Sequence, residues 1–305
     1  MRASVASAAR PSSRVRIATY RADGKTTWGV VRGERVSDAG KAKGAPATVR
    51  ELLESTDQAE SLRAVADAPA RPLREVQLLA PLEPRQDFIA LGLNYVQHVG
   101  ESAAATQQST PPKQPILFGK AATSVIGPDA EIQFDRAVTK EVDWEVELAV
   151  VIGRAGRDIA RNDALAHIFG YTVANDVSAR DLQFLDGRQW YRGKSLDTFC
   201  PLGPSIVTRD DLGDASGLRL TLRVNGVTKQ DASTDELLFG IAEIVASASE
   251  GRTLRPGDVI LTGTPVGVGF TRTPPEYLRD GDVVEAEIER IGVLRNRVRE
   301  VSADR

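Results

Sequence analysis

The segment Glu141-Val-Asp-Trp-Glu-Val-Glu-Leu-Ala-Val-Val-Ile-Gly153 alternates with a period of two. Trp144, Val146, Leu148, Val150 and Ile152 occupy one set of positions, and Asp143, Glu145, Glu147, Ala149 and Val151 the other. That is the pattern of a half-buried β-strand. Glu145 and Glu147 then point to one face, with carboxylates about 6–7 Å apart along it. Glutamate is disfavoured in strands, and like charges on one face repel. A divalent cation held between them would offset that cost, and an all-oxygen set favours Mg²⁺, Mn²⁺ or Ca²⁺ over zinc. The next strand-like run, Tyr171-Thr-Val-Ala-Asn-Asp176, ends in a third oxygen ligand, Asp176. The bland alternative is a solvated strand face carrying two ordinary glutamates.

Upstream, the apolar strand Asp87-Phe-Ile-Ala-Leu91 runs into Gly92-Leu-Asn-Tyr-Val-Gln-His-Val-Gly-Glu101. His98 and Glu101 stand three apart, so a single helical turn gives them a shared face. A carboxylate beside an imidazole fixes its tautomer, the arrangement a general base needs. A surface His–Glu pair on a loop is the competing reading. Ser102 to Pro115 turns to Ala, Thr, Gln, Ser and Pro, the composition of a loop able to flex as a lid.

Downstream of Asp176, Ser178-Ala-Arg-Asp181 has the spacing of a capping box, which places Arg180 and Gln183 at the start of a helix. Arg188 to Ser195 is polar and Gly-bearing, predicting a loop that carries Lys194. His167 lies in a helical stretch, Arg161 to Ile168, among Ala164, Leu165 and Ile168, and reads as a structural histidine. Leu218 to Val224 alternates into Asn225-Gly226, a hairpin signal. Ser233-Thr-Asp-Glu236 is a second capping box, ahead of a helical stripe of Leu237, Leu238, Ile241, Ile244, Val245 and Ala248. Gly263-Thr-Pro-Val-Gly-Val-Gly269 is a Gly-rich loop whose backbone N–H groups can receive a carboxylate. It lacks both the Lys-Ser/Thr of a phosphate loop and the context of a dinucleotide fingerprint.

The remaining chain bounds the class. Residues 14–80 form a small α+β unit with strands at Val15–Tyr20 and Thr27–Val31, followed by a proline-punctuated connection, and residues 85–301 form the larger unit. Residues 1–13 are Ala/Ser/Arg-rich and lack acidic residues, a composition shared with transit peptides, and lack the apolar core of a secretory signal; the favoured reading is a short disordered tail. A formal net charge of −3 and 5% aromatic residues argue against a nucleic-acid partner. No apolar run reaches the roughly 18 residues that span a bilayer. The single Cys200 excludes an internal disulfide framework and suits a reducing compartment, so the expected location is cytoplasmic. Strands dominate over two or three helices, giving a mainly β, mainly antiparallel chain.

Taken together, Gly92-Leu-Asn-Tyr-x-x-His98-x-x-Glu101, Glu145-x-Glu147, Asn175-Asp-Val-Ser-Ala-Arg-Asp181, Gly193-Lys-Ser195 and Thr262-Gly-Thr-Pro-x-Gly-Val-Gly269 resemble the fumarylacetoacetate hydrolase family, in the family's order. The resemblance implies a mixed β-sandwich roll and a homodimer. It implies Glu145, Glu147 and Asp176 as ligands of Mg²⁺ or Mn²⁺, His98 and Glu101 as a water-activating pair on a lid, and Lys194 as an active-site lysine. Arg180, Gln183 and Thr264 are implied as substrate contacts. Gly119 departs from the larger polar residue that many relatives carry before the lysine of Phe118-x-Lys120. The activity implied first is metal-dependent hydrolysis of a carbon–carbon bond in a small 2,4-dioxo acid of the acylpyruvate type. The alternatives are a decarboxylase, isomerase or hydratase of a 2-oxo diacid on the same site, or a non-catalytic metal-bearing binding protein.

Overall fold

In the computed structural model, residues 15–106, 109–185 and 189–302 are described. The tail expected over 1–13 lies outside them. Among the described residues, twelve strands join one large sheet and five a second. The large sheet runs from Ala70–Pro72 through Arg35–Ser37, Lys25–Arg32, Arg16–Ala22, Cys200–Thr208, Ile168–Asn175, Val146–Ile152, Val259–Leu261 and Phe88–Gly92 to Ile116–Lys120. Its pairings are antiparallel except Val259–Leu261 on Phe88–Gly92 and Val125–Ile126 on Cys200–Thr208. The second sheet is ordered Val227–Ser233, Arg219–Val224, Val283–Ile288, Gly292–Glu300, Glu131–Phe134. This is the mainly β sandwich expected from the sequence.

Val146–Ile152 is a central strand, and all seven of its residues are buried. The reason is a second covered face. Val146, Leu148, Val150 and Ile152 pack toward the five-stranded sheet with Leu220, Leu222, Val284 and Ala286. Ala149 and Val151 face a separate cluster with Trp28, Leu52, Leu53 and Phe88. The expectation of a half-buried strand is therefore corrected. Much of the second cover, including Trp28, Leu52 and Leu53, comes from the first 80 residues, and Arg16–Ala22 pairs directly with Cys200–Thr208. The strand is also interrupted: Trp144 and Glu145 separate the short Val142–Asp143 strand from Val146–Ile152.

Other local readings shift. Ser178–Ala179 is a two-residue strand paired with Val142–Asp143, and the Ser178 hydroxyl donates to the Asp176 carbonyl, so no capping box forms there. The helix still follows, as Arg180–Gln183. The box at Ser233 forms, but on a single 3₁₀ turn, Thr234–Glu236, and the apolar helix starts only at Ile241 after Gly240. Arg161–His167 is 3₁₀. The stretch around Lys194 is helical at Trp190–Lys194, and the helix that begins at Val96 continues to Thr106, occupying the first part of the expected lid loop.

Candidate active site

Strand register brings the carboxylates together. Val146 pairs with Asn175 and Glu147 with Ala174, and the Asp176 N–H donates to the Glu145 carbonyl at 2.9 Å. One oxygen each from Glu145, Glu147 and Asp176 lies within 4.8 Å of the others, and all three residues are buried. This is tighter than a regular strand repeat gives, because Glu145 sits in the break and not in the ladder.

Cations pack around this triad. Lys194 Nζ lies 2.7 Å from Glu145 Oε2 and 2.6 Å from Asp176 Oδ2. Lys120, fully buried at the end of an edge strand, lies 2.8 Å from Asp176 Oδ1 and donates to the carbonyls of Val177 and Lys194. Arg180 reaches Asp143 Oδ2 at 2.8 Å through Nε and Glu145 Oε1 at 2.7 Å through Nη2. Its Nη1 donates to Gln183 Oε1 at 2.8 Å, and its guanidinium stacks 4.4 Å above the Phe270 ring. Four buried carboxylates thus face three buried cations.

The shortfall falls on Glu147. No lysine or arginine pairs with it among the described residues; the Gly263 N–H donates to its Oε2 at 2.7 Å. Burial, then the carboxylates of Asp176 and Glu145, push its pKa well above the usual range, and Lys194 and Gly263 offset only part of that. Burial also opposes the charge on Glu145, but Lys194, Arg180 and His98 outweigh it and bring its pKa down to about 2. Burial likewise opposes the Lys194 ammonium, yet Asp176 and Glu145 prevail and raise its pKa. Asp176 Oδ1 is buried without a hydrogen bond among the described residues, although the Lys120 ammonium is near. An uncompensated carboxylate and an all-oxygen donor set fit a hard divalent cation.

The dyad is built differently. Helix Val96–Thr106 carries both members, and His98 Nδ1 lies 2.8 Å from Glu101 Oε1. Glu101 also accepts from the Gly267 N–H at 3.0 and 3.1 Å and from the Thr271 hydroxyl at 3.1 Å. The helix entrance is pinned by Asn94, whose side chain bonds Thr262, and both donates to and accepts from the Phe239 backbone. The Gly-rich loop does receive carboxylates, but they are the protein's own. Gly263 holds Glu147, Gly267 holds Glu101, and Gly269 and Phe270 hold Asp143. Gly263 at φ +94° and Gly267 at φ +105° occupy backbone that a side chain would strain.

His98, Glu145, Arg180, Gln183, Lys194 and Thr264 line one cavity. Glu101, Glu147 and Asp176 stand behind that lining. The Thr264 hydroxyl is already committed, donating to the Val146 carbonyl at 3.0 Å and accepting from Gln230 at 2.9 Å. The sequence reading left Lys120, Asp143 and Thr271 without a place in the site. Asp143 had a visible signal: it shares the alternation of Glu145 and Glu147. Lys120 closes an apolar strand, an unusual position for a buried ammonium. Thr271 had none, since its contact with Glu101 spans 170 residues.

A family model, the C-terminal domain of fumarylacetoacetate (FAA) hydrolase, matches residues 87–299. The human mitochondrial oxaloacetate tautomerase FAHD2A is 46% identical over 258 residues, covering 83% of this chain and 80% of that protein. A fumarylacetoacetate hydrolase structure from psychrophilic Exiguobacterium antarcticum superposes with TM-score 0.80 at 37% identity, covering 94% of this chain and 100% of the other. A 2-hydroxyhepta-2,4-diene-1,7-dioate isomerase from Mycobacterium marinum does so with TM-score 0.75 at 35% identity, covering 94% and 98%. With the family model spanning most of the chain and the order of motifs intact, this protein belongs to the fumarylacetoacetate hydrolase family.

Proposed function

We propose that the chain catalyses keto–enol tautomerisation of oxaloacetate or a similarly short 2-oxo dicarboxylic acid. One observation carries this reading: His98, its Nδ1 held by Glu101, lines the same cavity as the Lys194 ammonium. A tautomerase needs a group that moves a proton and a fixed charge facing the oxygen that becomes negative. It needs no activated water, and this separates it from the acylpyruvate hydrolase that the sequence suggested first. The likeness to a protein named as an oxaloacetate tautomerase, and to one named as a dienedioate isomerase, supports proton transfer over carbon–carbon cleavage.

With Nδ1 engaged, Nε2 is the nitrogen for exchange. It takes a proton from carbon 3 of the acid. The C–H electron pair becomes the C2=C3 bond, and the carbonyl pair moves onto the 2-oxygen. Lys194, kept protonated by Asp176 and Glu145, faces that charge. The proton then passes to the oxygen, so the reaction is isomeric, with nothing consumed. Arg180 and Gln183, which line the cavity wall, would orient a carboxylate. Glu145, Glu147 and Asp176 would hold Mg²⁺ or Mn²⁺, which supplies Lewis-acid polarisation of the acid's oxygens.

The experiment follows interconversion of the oxaloacetate tautomers by ultraviolet absorbance, with Mg²⁺ or Mn²⁺ present. Acceleration that disappears on chelation and in His98→Ala is expected. Release of carbon dioxide, or cleavage of acylpyruvates, without accelerated tautomer exchange would sink the proposal in favour of decarboxylation or hydrolysis.

A further inference from the structure

The cavity has a polar side and an aromatic side. Glu145, Arg180, Gln183 and Lys194 form the first, with Phe270 under the Arg180 guanidinium and Phe184 beside it; Phe118 and Trp190 form the second. Trp190 is the first residue of the helix that ends in Lys194, so one face of a single turn presents both side chains. The indole rests on the bare backbone of Gly92: a Cβ there would lie 2.1 Å from Cζ3 and 2.5 Å from Cη2. Its other neighbour is Phe118, edge to face, with ring centroids 5.2 Å apart and planes at 83°. Phe118 in turn has the Lys194 ammonium 5.4 Å from its ring centre. Behind the helix, Gly193 lies so close to Gln183 that a Cβ would sit 2.6 Å from its backbone. The helix has little room to retreat.

We infer that Trp190, seated on Gly92 and Phe118, is the end-stop of the cavity and limits it to 2-oxo acids with short chains. The polar side recognises the carboxylate and 2-oxo group common to all such acids, so it does not sort them by length. Selection by length has to come from the wall that a longer tail would strike. That wall is an aromatic ring held from two sides, and ring displacement costs packing on both. A missing Cβ at position 92 is part of the device, because it sets how deep the indole sits.

The inference rests on the short-acid reading above, and its test uses binding, not turnover. Full-length protein with Mg²⁺ is titrated calorimetrically with straight-chain 2-oxo acids of three to six carbons. In the wild type, affinity is expected to fall by about 10-fold or more from the shortest to the longest, the usual scale of steric discrimination in a pocket. Trp190→Ala should flatten or reverse that ladder, with Trp190→Phe between the two. Gly92→Ala should weaken every member by driving the indole inward, and Gly92→Ala combined with Trp190→Ala should restore binding to the level of Trp190→Ala alone. The restoration separates a clash from a fold defect, and Trp190→Phe keeps the test alive should Trp190→Ala not fold. A flat ladder in the wild type, or an unchanged one in both Trp190 variants, overturns the end-stop. A wild type inert toward oxaloacetate but with the ladder intact supports the end-stop and removes only the proposed reaction.

Discussion

The chain has two histidines, and the two places they occupy make opposite uses of nearly equal burial. His98 is 7% exposed and His167 8%. Each sits on a short helical element and each uses Nδ1 for its recorded contact. The His98 ring meets a carboxylate, Glu101, that three further contacts hold still. The His167 ring meets the Arg154 carbonyl at 3.0 Å and lies against Gly156, where a Cβ would be 2.6 Å from Cε1. Its own carbonyl accepts from Gly153 and Arg154, closing the connection between two central strands. Burial therefore does not distinguish the histidine proposed to exchange protons from the one read as structural. The partner does: a charged acceptor beside a cavity holds a tautomer ready for exchange, whereas a backbone carbonyl in a packed turn holds a loop.

The comparison makes its strongest demand on rate. His98→Ala is expected to lower tautomerase turnover by about 10²- to 10⁴-fold with little change in melting temperature. Steady-state kinetics and thermal melting read the two effects separately. Next in size is the triad behind the cavity. Glu147→Gln should weaken Mn²⁺ binding by more than about 100-fold, since even outer-shell partners of metal ligands cost 10–100-fold. Calorimetry with unchanged affinity would remove Glu147 from the ligand set. His167→Ala should leave turnover within about 2-fold of wild type but cost about 1–3 kcal/mol of stability, the scale of an emptied, partly unsatisfied buried position. Denaturant melts measure it. A rate-sensitive His167 would invert the comparison outright.

How much of this was legible in the chain differs by residue. The three-residue step from His98 to Glu101 is local, and the helix gives the pair the shared face expected; the alternation at Glu145 and Glu147 is local too, but only Glu147 lies on the strand. The break at Trp144–Glu145 was hidden because the alternation runs straight through it. Ser178 carries a cap-like spacing, but pairing between Asp143 and Ser178 claims its backbone and the Asp176 carbonyl claims its hydroxyl. Polar residues around Lys194 suggested a loop, yet Gly193 lets that turn press onto Arg180–Gln183 as a helix. The central strand looked half-buried since its second cover comes from residues more than 60 positions away, among them Trp28, Leu52 and Leu53. Lys120, Asp143 and Thr271 join the site only through partners 37 to 170 residues distant. Non-local pairing was the missing information each time.

The cleanest discriminator between the two histidines is supplied by Cys200. This thiol lies fully buried at the start of Cys200–Thr208, a central strand. Burial, with Asp176 and Glu147 adding and Lys120 opposing, moves its pKa from 9.0 up to about 12. Thiol reagents attack the thiolate, so labelling at pH 8 must pass through opened molecules. The sign of the pH dependence follows. A group whose pKa is raised on folding contributes fully below its unfolded value, and that contribution is lost as pH rises between 9.0 and about 12. At pH 8 the contribution is intact, and labelling reports stability alone. His98→Ala should label at the wild-type rate. His167→Ala should label faster by about 5- to 150-fold, the factor that 1–3 kcal/mol sets on the opened population. If the two variants label Cys200 at one rate, both histidines serve the fold alike, and the carbonyl-capped ring loses its distinct structural role.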